Sequence, residues 1–221
     1  MATITAPRSA PPKANLNGAP DPEFGEVQRV TTTSWGNAGP LALLSFAVVT
    51  FMLSMVNAKL VSAGVTPVIL AVGLVFGGST QLVAGLIQLR SGDVFQGVLF
   101  SSFGAFWILL AAFLTWFLKT VPLAQQGHSL GLLLYSFAIL ATVLWAASLR
   151  TSRVVVVALG FVVATFWLLA AGNYGAHTSL IHAGGYTGIV AAALATYLAL
   201  AELCVYAYGR SVFPVGSLAK V

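Results

Sequence analysis

Charged side chains are scarce in this sequence. Asp, Glu, Lys and Arg make up 7% of the 221 residues, whereas hydrophobic residues make up 58%. A soluble domain carries roughly 25% charged residues, so this composition cannot cover a water-facing surface. The scarcity excludes a soluble domain and predicts a membrane protein.

Cysteine and catalytic motifs are also missing. Cys204 is the single cysteine, which excludes an internal disulfide framework and a multi-thiolate metal site. The sequence contains no HExxH, CxxC, GxGxxG or Walker motif. His177 and His182 fall in a predicted external loop without a nearby third ligand, and His128 falls just before the fourth apolar segment, so we interpret all three as interfacial. We therefore predict no enzyme activity, no metal and no cofactor.

Basic patches are absent as well. The net charge is +5, but the ten Lys and Arg residues are scattered along the chain. A nucleic-acid-binding surface needs clustered basic residues, so we predict no nucleic-acid partner. The basic residues are better interpreted as determinants of membrane topology.

Six long apolar segments are what the sequence does contain, at residues 40–56, 65–89, 94–118, 129–148, 154–172 and 184–208. A helix needs about 20 residues to cross the hydrocarbon core, and backbone groups in lipid must bond within their own segment. The pattern predicts an all-α membrane protein with six transmembrane helices in one transporter domain, residues 37–209. Residues 1–36, rich in Pro, Ala, Thr and Asn, predict a disordered tail, and residues 210–221 form a second tail.

The basic residues predict the orientation of these helices. With the N-terminus in the cytoplasm, the outside carries only Lys59 and Lys119. The other eight are inside: Arg8, Lys13, Arg29, Arg90, Arg150, Arg153, Arg210 and Lys220. Cytoplasmic loops carry the excess of Lys and Arg, so we predict that both termini are cytoplasmic.

Residues 76–107 span two helices and carry two stripes at helical spacing. The first stripe holds the amides Gln81 and Gln88 with two glycines, and the second holds three aromatics, including Phe103. The apolar segments contain no basic residue at their centres to hold an anion tightly, so these helices predict a neutral pathway. Its polar candidates are Asn37, Thr50, Asn57, Gln81, Ser101, Ser102 and Asn173, and its constriction candidates are Phe46 and Phe103. Interhelical bonding or packing is the alternative role for each.

Glu202 is the only acid well inside an apolar segment. Ionisable residues within a bilayer are costly and tend to be functional. Two interpretations remain open: a carboxylate that reaches the inner interface, and a group that takes part in proton movement or substrate exit.

Several of these residues lie in motifs of a known family. Residues 37–43 (NAGPLAL) resemble the NPAPLGL signature of the acetate uptake transporter family, which includes bacterial succinate–acetate permeases and fungal acetate and ammonia-export proteins. Residues 76–85 (FGGSTQLVAG) resemble its YGGxxQxxAG motif, and residues 100–107 (FSSFGAFW) resemble its FxSYGxFW motif. Further matches extend the resemblance, in order, over residues 37–217.

The resemblance implies transport of acetate, and in some members succinate, across the plasma membrane by a proton-coupled or channel-like route. It implies a homohexamer in which each subunit has its own pathway. It also implies an apolar constriction at Phe46, Phe103 and Val162, the last placed by counting back from Asn173. Phe103 replaces the family tyrosine, and this loss of a hydroxyl implies a shift toward more apolar monocarboxylates. The alternatives are an ammonia or ammonium exporter and a carboxylate-sensing membrane protein without transport.

Overall fold

Six long helices form the part of the chain that the computed structural model describes, residues 35–216. They are α1 (Gly39–Asn57), α2 (Ala63–Arg90), α3 (Val94–Thr120), α4 (Leu123–Ser148), α5 (Arg153–Tyr174) and α6 (Thr178–Tyr208), and each is long and apolar enough to span a membrane. The six-helix prediction is therefore confirmed. The predicted disordered tail lies outside the described residues, apart from positions 35 and 36.

Two helices begin earlier than the apolar segments predict. Helix α4 begins at Leu123 and α6 begins at Thr178, six residues before each predicted start. His128 and His182 therefore lie within helices, and their predicted positions before a helix and in a loop were wrong. Hydropathy detects only the apolar part of a helix, so it misses polar first turns that still bond as a helix.

The helix ends have local causes in the sequence. Pro40 occupies the first turn of α1, where its missing N–H is not needed. Asp93 caps α3, because its Oδ1 accepts a hydrogen bond of 2.9 Å from the Gln96 backbone N–H. Ser152 caps α5 in the same way, through the Val155 N–H. Gly209, with φ of 66°, ends α6 in the left-handed conformation.

The helices pack around a shared interior. Helix α1 lies between α6 and α2, α5 lies between α6 and α4, and α2 packs along α3, whereas α3 and α4 touch sparingly. Two glycines allow the closest approaches. A Cβ on Gly188 of α6 would collide with Ser54 of α1, and a Cβ on Gly104 of α3 would lie 2.5 Å from the Leu82 nitrogen of α2. Small residues let membrane helices approach in this way.

A π-helical segment, Gly73–Thr80, interrupts α2. The hydroxyls of Ser79 and Thr80 donate to carbonyl oxygens five residues earlier, at 2.9 and 3.1 Å. Within this segment Gly77 packs on Val49 of α1. Gln81 is the first residue of the α-helical segment that follows. Such segments are rare and occur frequently at functional sites.

Residues 209–216 fold back over the end of the bundle, and we call them the C-terminal strap. The Gly216 carbonyl oxygen accepts a hydrogen bond of 2.8 Å from the Arg153 backbone N–H. The Pro214 carbonyl oxygen accepts one of the same length from the Tyr197 hydroxyl. The strap therefore satisfies an N–H at the start of α5 that the helix itself leaves without a partner.

Candidate substrate pathway

Two cavities lie in line within the bundle. The proximal cavity, of about 250 Å³, is at the end where residues 35 and 216 lie, and it is lined from α1, α2, α3, α5 and α6. The distal cavity, of about 220 Å³, lies toward the opposite end and is also lined from α4. Each could hold several molecules of water, whose share of the liquid is about 30 Å³.

The two cavities share apolar lining residues. Phe46, Val162 and Ala191 line both of them, and Phe103 lines the proximal side. The ring centroids of Phe46 and Phe103 are 5.8 Å apart, and Phe103 stacks on Phe166 at 5.9 Å. All of these residues are buried. The structure thus brings Phe46, Phe103 and Val162 together, and it adds Phe166, which the sequence analysis missed.

Gln81 lines the proximal cavity from α2. Its side chain is 0% exposed, and neither its Oε1 nor its Nε2 has a hydrogen-bond partner within residues 35–216. A buried polar group without a partner costs about 1–3 kcal/mol. Its neighbour two turns along, Gln88, is also buried but fully engaged. Gln81 is therefore a buried amide beside the cavity whose hydrogen-bonding capacity the described residues leave unused.

A hydrogen-bond network closes the outer rim of the proximal cavity. Gln88 Nε2 donates to Asn37 Oδ1 at 2.8 Å and to Gln96 Oε1 at 3.0 Å. Asn37 Nδ2 in turn donates to Glu202 Oε2 at 3.2 Å. These four side chains belong to the starts of α1 and α3 and the ends of α2 and α6. They converge on Gly39, where a Cβ would lie within 2.9 Å of three of their oxygens.

The polar groups that line the distal cavity are hydroxyls, amides and the indole N–H of Trp107. Thr50, Asn57 and Asn173 all line it. The Thr50 hydroxyl is buried without a partner within the described chain, whereas Asn173 Nδ2 donates to the Leu169 carbonyl oxygen at 2.8 Å. No charged residue lines this cavity among residues 35–216.

Other candidates lie away from the cavities. Ser101 and Ser102 line neither of them, and the buried Ser101 hydroxyl lies where α3 packs on Gly85. Asn37 reaches the proximal cavity only through Glu202, which lines it. Asp93, which the sequence analysis did not single out, lines the proximal cavity as well. No sequence signal distinguishes these outcomes, since they depend on how helix ends meet.

These features define a class of protein: a multi-pass helical membrane protein with two internal cavities that share apolar lining residues. The sequence matches the GPR1/FUN34/yaaH family over residues 17–218. The chain belongs to this family.

Individual relatives agree with this assignment. The chain is 31% identical to the succinate-acetate/proton symporter SatP of Escherichia coli K12, over 83% of this chain and 97% of that one. It is 32% identical to ammonia transport outward protein 2 of Saccharomyces cerevisiae, over 76% of this chain and 62% of that one. Among solved structures, the bacterial acetate channel SatP matches with a TM-score of 0.77 and 31% identity, over 83% of this chain and 100% of that one.

Proposed function

We propose that this protein carries acetate and related short carboxylates across the plasma membrane through the two cavities. The observation that carries the proposal is that two largely apolar cavities, each with a few polar lining residues, share Phe46 and Val162. Its SatP relatives, named for acetate transport and acetate conduction, support the same cargo. Both termini are cytoplasmic in this proposal, because the eight-to-two distribution of basic residues favours it.

The lining suits weak binding and fast release. Near neutral pH acetate is almost wholly anionic, since carboxyls titrate near pH 4. No Lys, Arg or His lines either cavity within the described chain, so the anion meets no basic side chain in them. Weak sites of this kind favour conduction, because a tightly bound ion leaves slowly.

Gln81 is the first contact that we assign to the substrate. Its free Nε2 donates to a carboxylate oxygen, which exchanges an unpaired amide for a charge-assisted hydrogen bond. Thr50 and Asn173 provide the corresponding contacts on the distal side, and Phe46, Phe103 and Val162 separate the two. Ser102 keeps no role in this proposal, because it lines neither cavity.

Glu202 is the group that we assign to proton coupling. It lines the proximal cavity and accepts its hydrogen bond from Asn37, a neutral amide. A carboxylate held by an amide can exchange protons with the cavity without breaking an ion pair. The resemblance to a family of hexamers supports a homohexamer with one pathway in each subunit.

Labelled acetate uptake into proteoliposomes tests the proposal. We expect flux above that of empty vesicles, and faster flux when a pH gradient drives protons in the same direction. Flux that is indifferent to the gradient would favour a channel without coupling through Glu202. Equal uptake by empty vesicles would contradict transport and would leave a carboxylate-sensing role.

An ammonia exporter is the second candidate, and the name of the yeast relative favours it. A pH-sensitive dye inside the same vesicles separates the two, because entering ammonia raises the internal pH. His128, His177 and His182 line neither cavity within the described chain, which counts against a histidine-lined ammonium route. We therefore expect no alkalinisation beyond that of empty vesicles.

A further inference from the structure

The two cavities differ in charge although they are similar in size. Asp93 and Glu202 line the proximal cavity, and no basic side chain lines it within residues 35–216. The distal cavity has no charged lining residue in the same range. Any substrate that crosses the protein must therefore pass two carboxyl groups at one end only.

Both carboxyl groups are fixed in place by helix ends. Asp93 Oδ1 accepts a hydrogen bond from the Gln96 backbone N–H at the start of α3. Glu202 Oε2 accepts a hydrogen bond from Asn37 Nδ2. Asn37 Oδ1 in turn accepts a hydrogen bond of 2.8 Å from the Gly39 N–H at the start of α1. Their partners are neutral, so no ion pair in these bonds cancels the charge.

Basic residues at this end lie outside the cavity. Arg90, Arg150, Arg153 and Arg210 are exposed, and none of them lines the cavity. The Arg153 side chain packs beside Gly216 of the C-terminal strap. Exposed charges are screened by salt over about 8 Å under physiological conditions, so they offset the two carboxyl groups only in part.

Gln81 supplies the independent sign that this cavity receives a ligand. It is 0% exposed, it lines the cavity, and both of its amide atoms lack partners within residues 35–216. A single amide of this kind serves one carboxylate. A dicarboxylate whose first carboxylate is at Gln81 places its other carboxylate in the same cavity as Asp93 and Glu202.

We propose that Asp93 and Glu202 make the proximal cavity selective for monocarboxylates over dicarboxylates. Acetate brings one negative charge past them, whereas succinate brings two at pH 7.5. An added negative charge on the substrate, a few ångströms from a carboxylate in a partly aqueous cavity, lowers the rate of uptake by about fivefold. This inference rests on the proposed transport of carboxylates and specifies its substrate class.

The test compares labelled acetate, butyrate and succinate uptake at pH 7.5 by the full-length protein in proteoliposomes. Butyrate has the four carbons of succinate and only one charge, so it separates size from charge. Either orientation in the vesicle serves, because every substrate must cross the proximal cavity. We expect a ratio of succinate to butyrate uptake well below one in the wild type.

Two isosteric substitutions remove the charges. Asp93→Asn keeps an N-capping oxygen, since Asn and Asp cap helices about equally well. Glu202→Gln keeps an oxygen that accepts from Asn37. We expect each to raise the succinate-to-butyrate ratio by about fivefold, whereas Asp93→Glu, which keeps the charge, leaves it near the wild-type value.

Salt provides a measurement that needs no variant. Raising the ionic strength from about 0.01 M to 0.15 M shortens the screening length from about 30 to 8 Å, so the wild-type succinate-to-butyrate ratio should rise. Equal rates for succinate and butyrate, or a low ratio that neither salt nor Asp93→Asn changes, would overturn the inference while transport itself stands. Acetate uptake no faster than in empty vesicles would instead contradict the proposed function.

Discussion

The proximal and distal cavities are similar in volume but differ in the charge of their lining residues. The proximal one combines two carboxyl groups with the unpaired amide of Gln81, whereas the distal one has no carboxyl group among its described lining residues. Neither is lined by a basic side chain within residues 35–216. If the proposed pathway runs through both cavities, an anion meets carboxyl groups at one end only, although both ends share Phe46 and Val162.

Closing the constriction should have the largest effect, because it separates the cavities. Val162 lines both of them and is buried, so Val162→Phe inserts a ring where they meet. Overpacking costs about 1–3 kcal/mol, which corresponds to a rate that is about 5-fold to 160-fold lower when it raises the transport barrier. Acetate flux into proteoliposomes measures this loss.

Val157, on the same helix but 49% exposed on its outer side, offers the matched control. Val157→Phe should leave the flux near the wild-type value. An equal loss in the two variants would mean that the added ring disturbs α5 in general rather than the junction of the cavities.

Gln81→Leu removes the amide that distinguishes the proximal cavity. A hydrogen bond to a charged group contributes about 1.5–3 kcal/mol, so we expect acetate flux to fall by about tenfold or more. The thermal stability should stay equal or rise, because an apolar side chain replaces an unpaired buried amide. Flux assays and thermal unfolding in detergent measure the two effects.

Gln88→Leu is the control for Gln81. Gln88 lies on the same face of α2 and is 3% exposed, but its side chain donates hydrogen bonds to Asn37 and Gln96. We expect this variant to lose stability, since it leaves buried partners unpaired. A lower melting temperature in Gln81→Leu as well would show that Gln81 is structural.

Phe103 variants should have the smallest effect and should change selectivity. Phe103→Tyr restores the hydroxyl of the family motif on the proximal side of the constriction, and one hydrogen bond of about 0.5–1.5 kcal/mol corresponds to an increase of about threefold in the acetate-to-butyrate ratio. Phe103→Ala should shift the ratio the other way, because it widens the space between Phe46 and Phe166. Competition uptake assays measure both ratios, and unchanged ratios would remove Phe103 from the constriction.

The sequence predicted the helices well because their cause is local. Length and hydropathy determine a membrane span, and the structure differs mainly at the polar first turns of α4 and α6. Helical spacing also placed Gln81 and Gln88 on one face, but it could not separate their roles. That difference arises from tertiary packing. Asn37 and Gln96, near the starts of α1 and α3, bond to Gln88, whereas Gln81 lies beside the proximal cavity.

The remaining site residues show the same limit. Ser101 and Ser102 were both plausible, but successive helical side chains point about 100° apart, and neither direction reaches a cavity here. Phe166 and Asp93 carried no polar pattern or motif that marked them. Their place in the pathway depends on where α5 crosses the aromatic cluster and where the α2–α3 turn closes.

The π-helical segment of α2 makes the length of this helix as important as its composition. Deleting one residue between Gly73 and Thr80 would turn the two halves of α2 by about 100° against each other. Gly77 could then keep its fit on Val49, or Gln81 could keep its place in the proximal cavity, but not both. A change in residue number at this point would therefore disrupt the pathway while leaving every named side chain in the sequence.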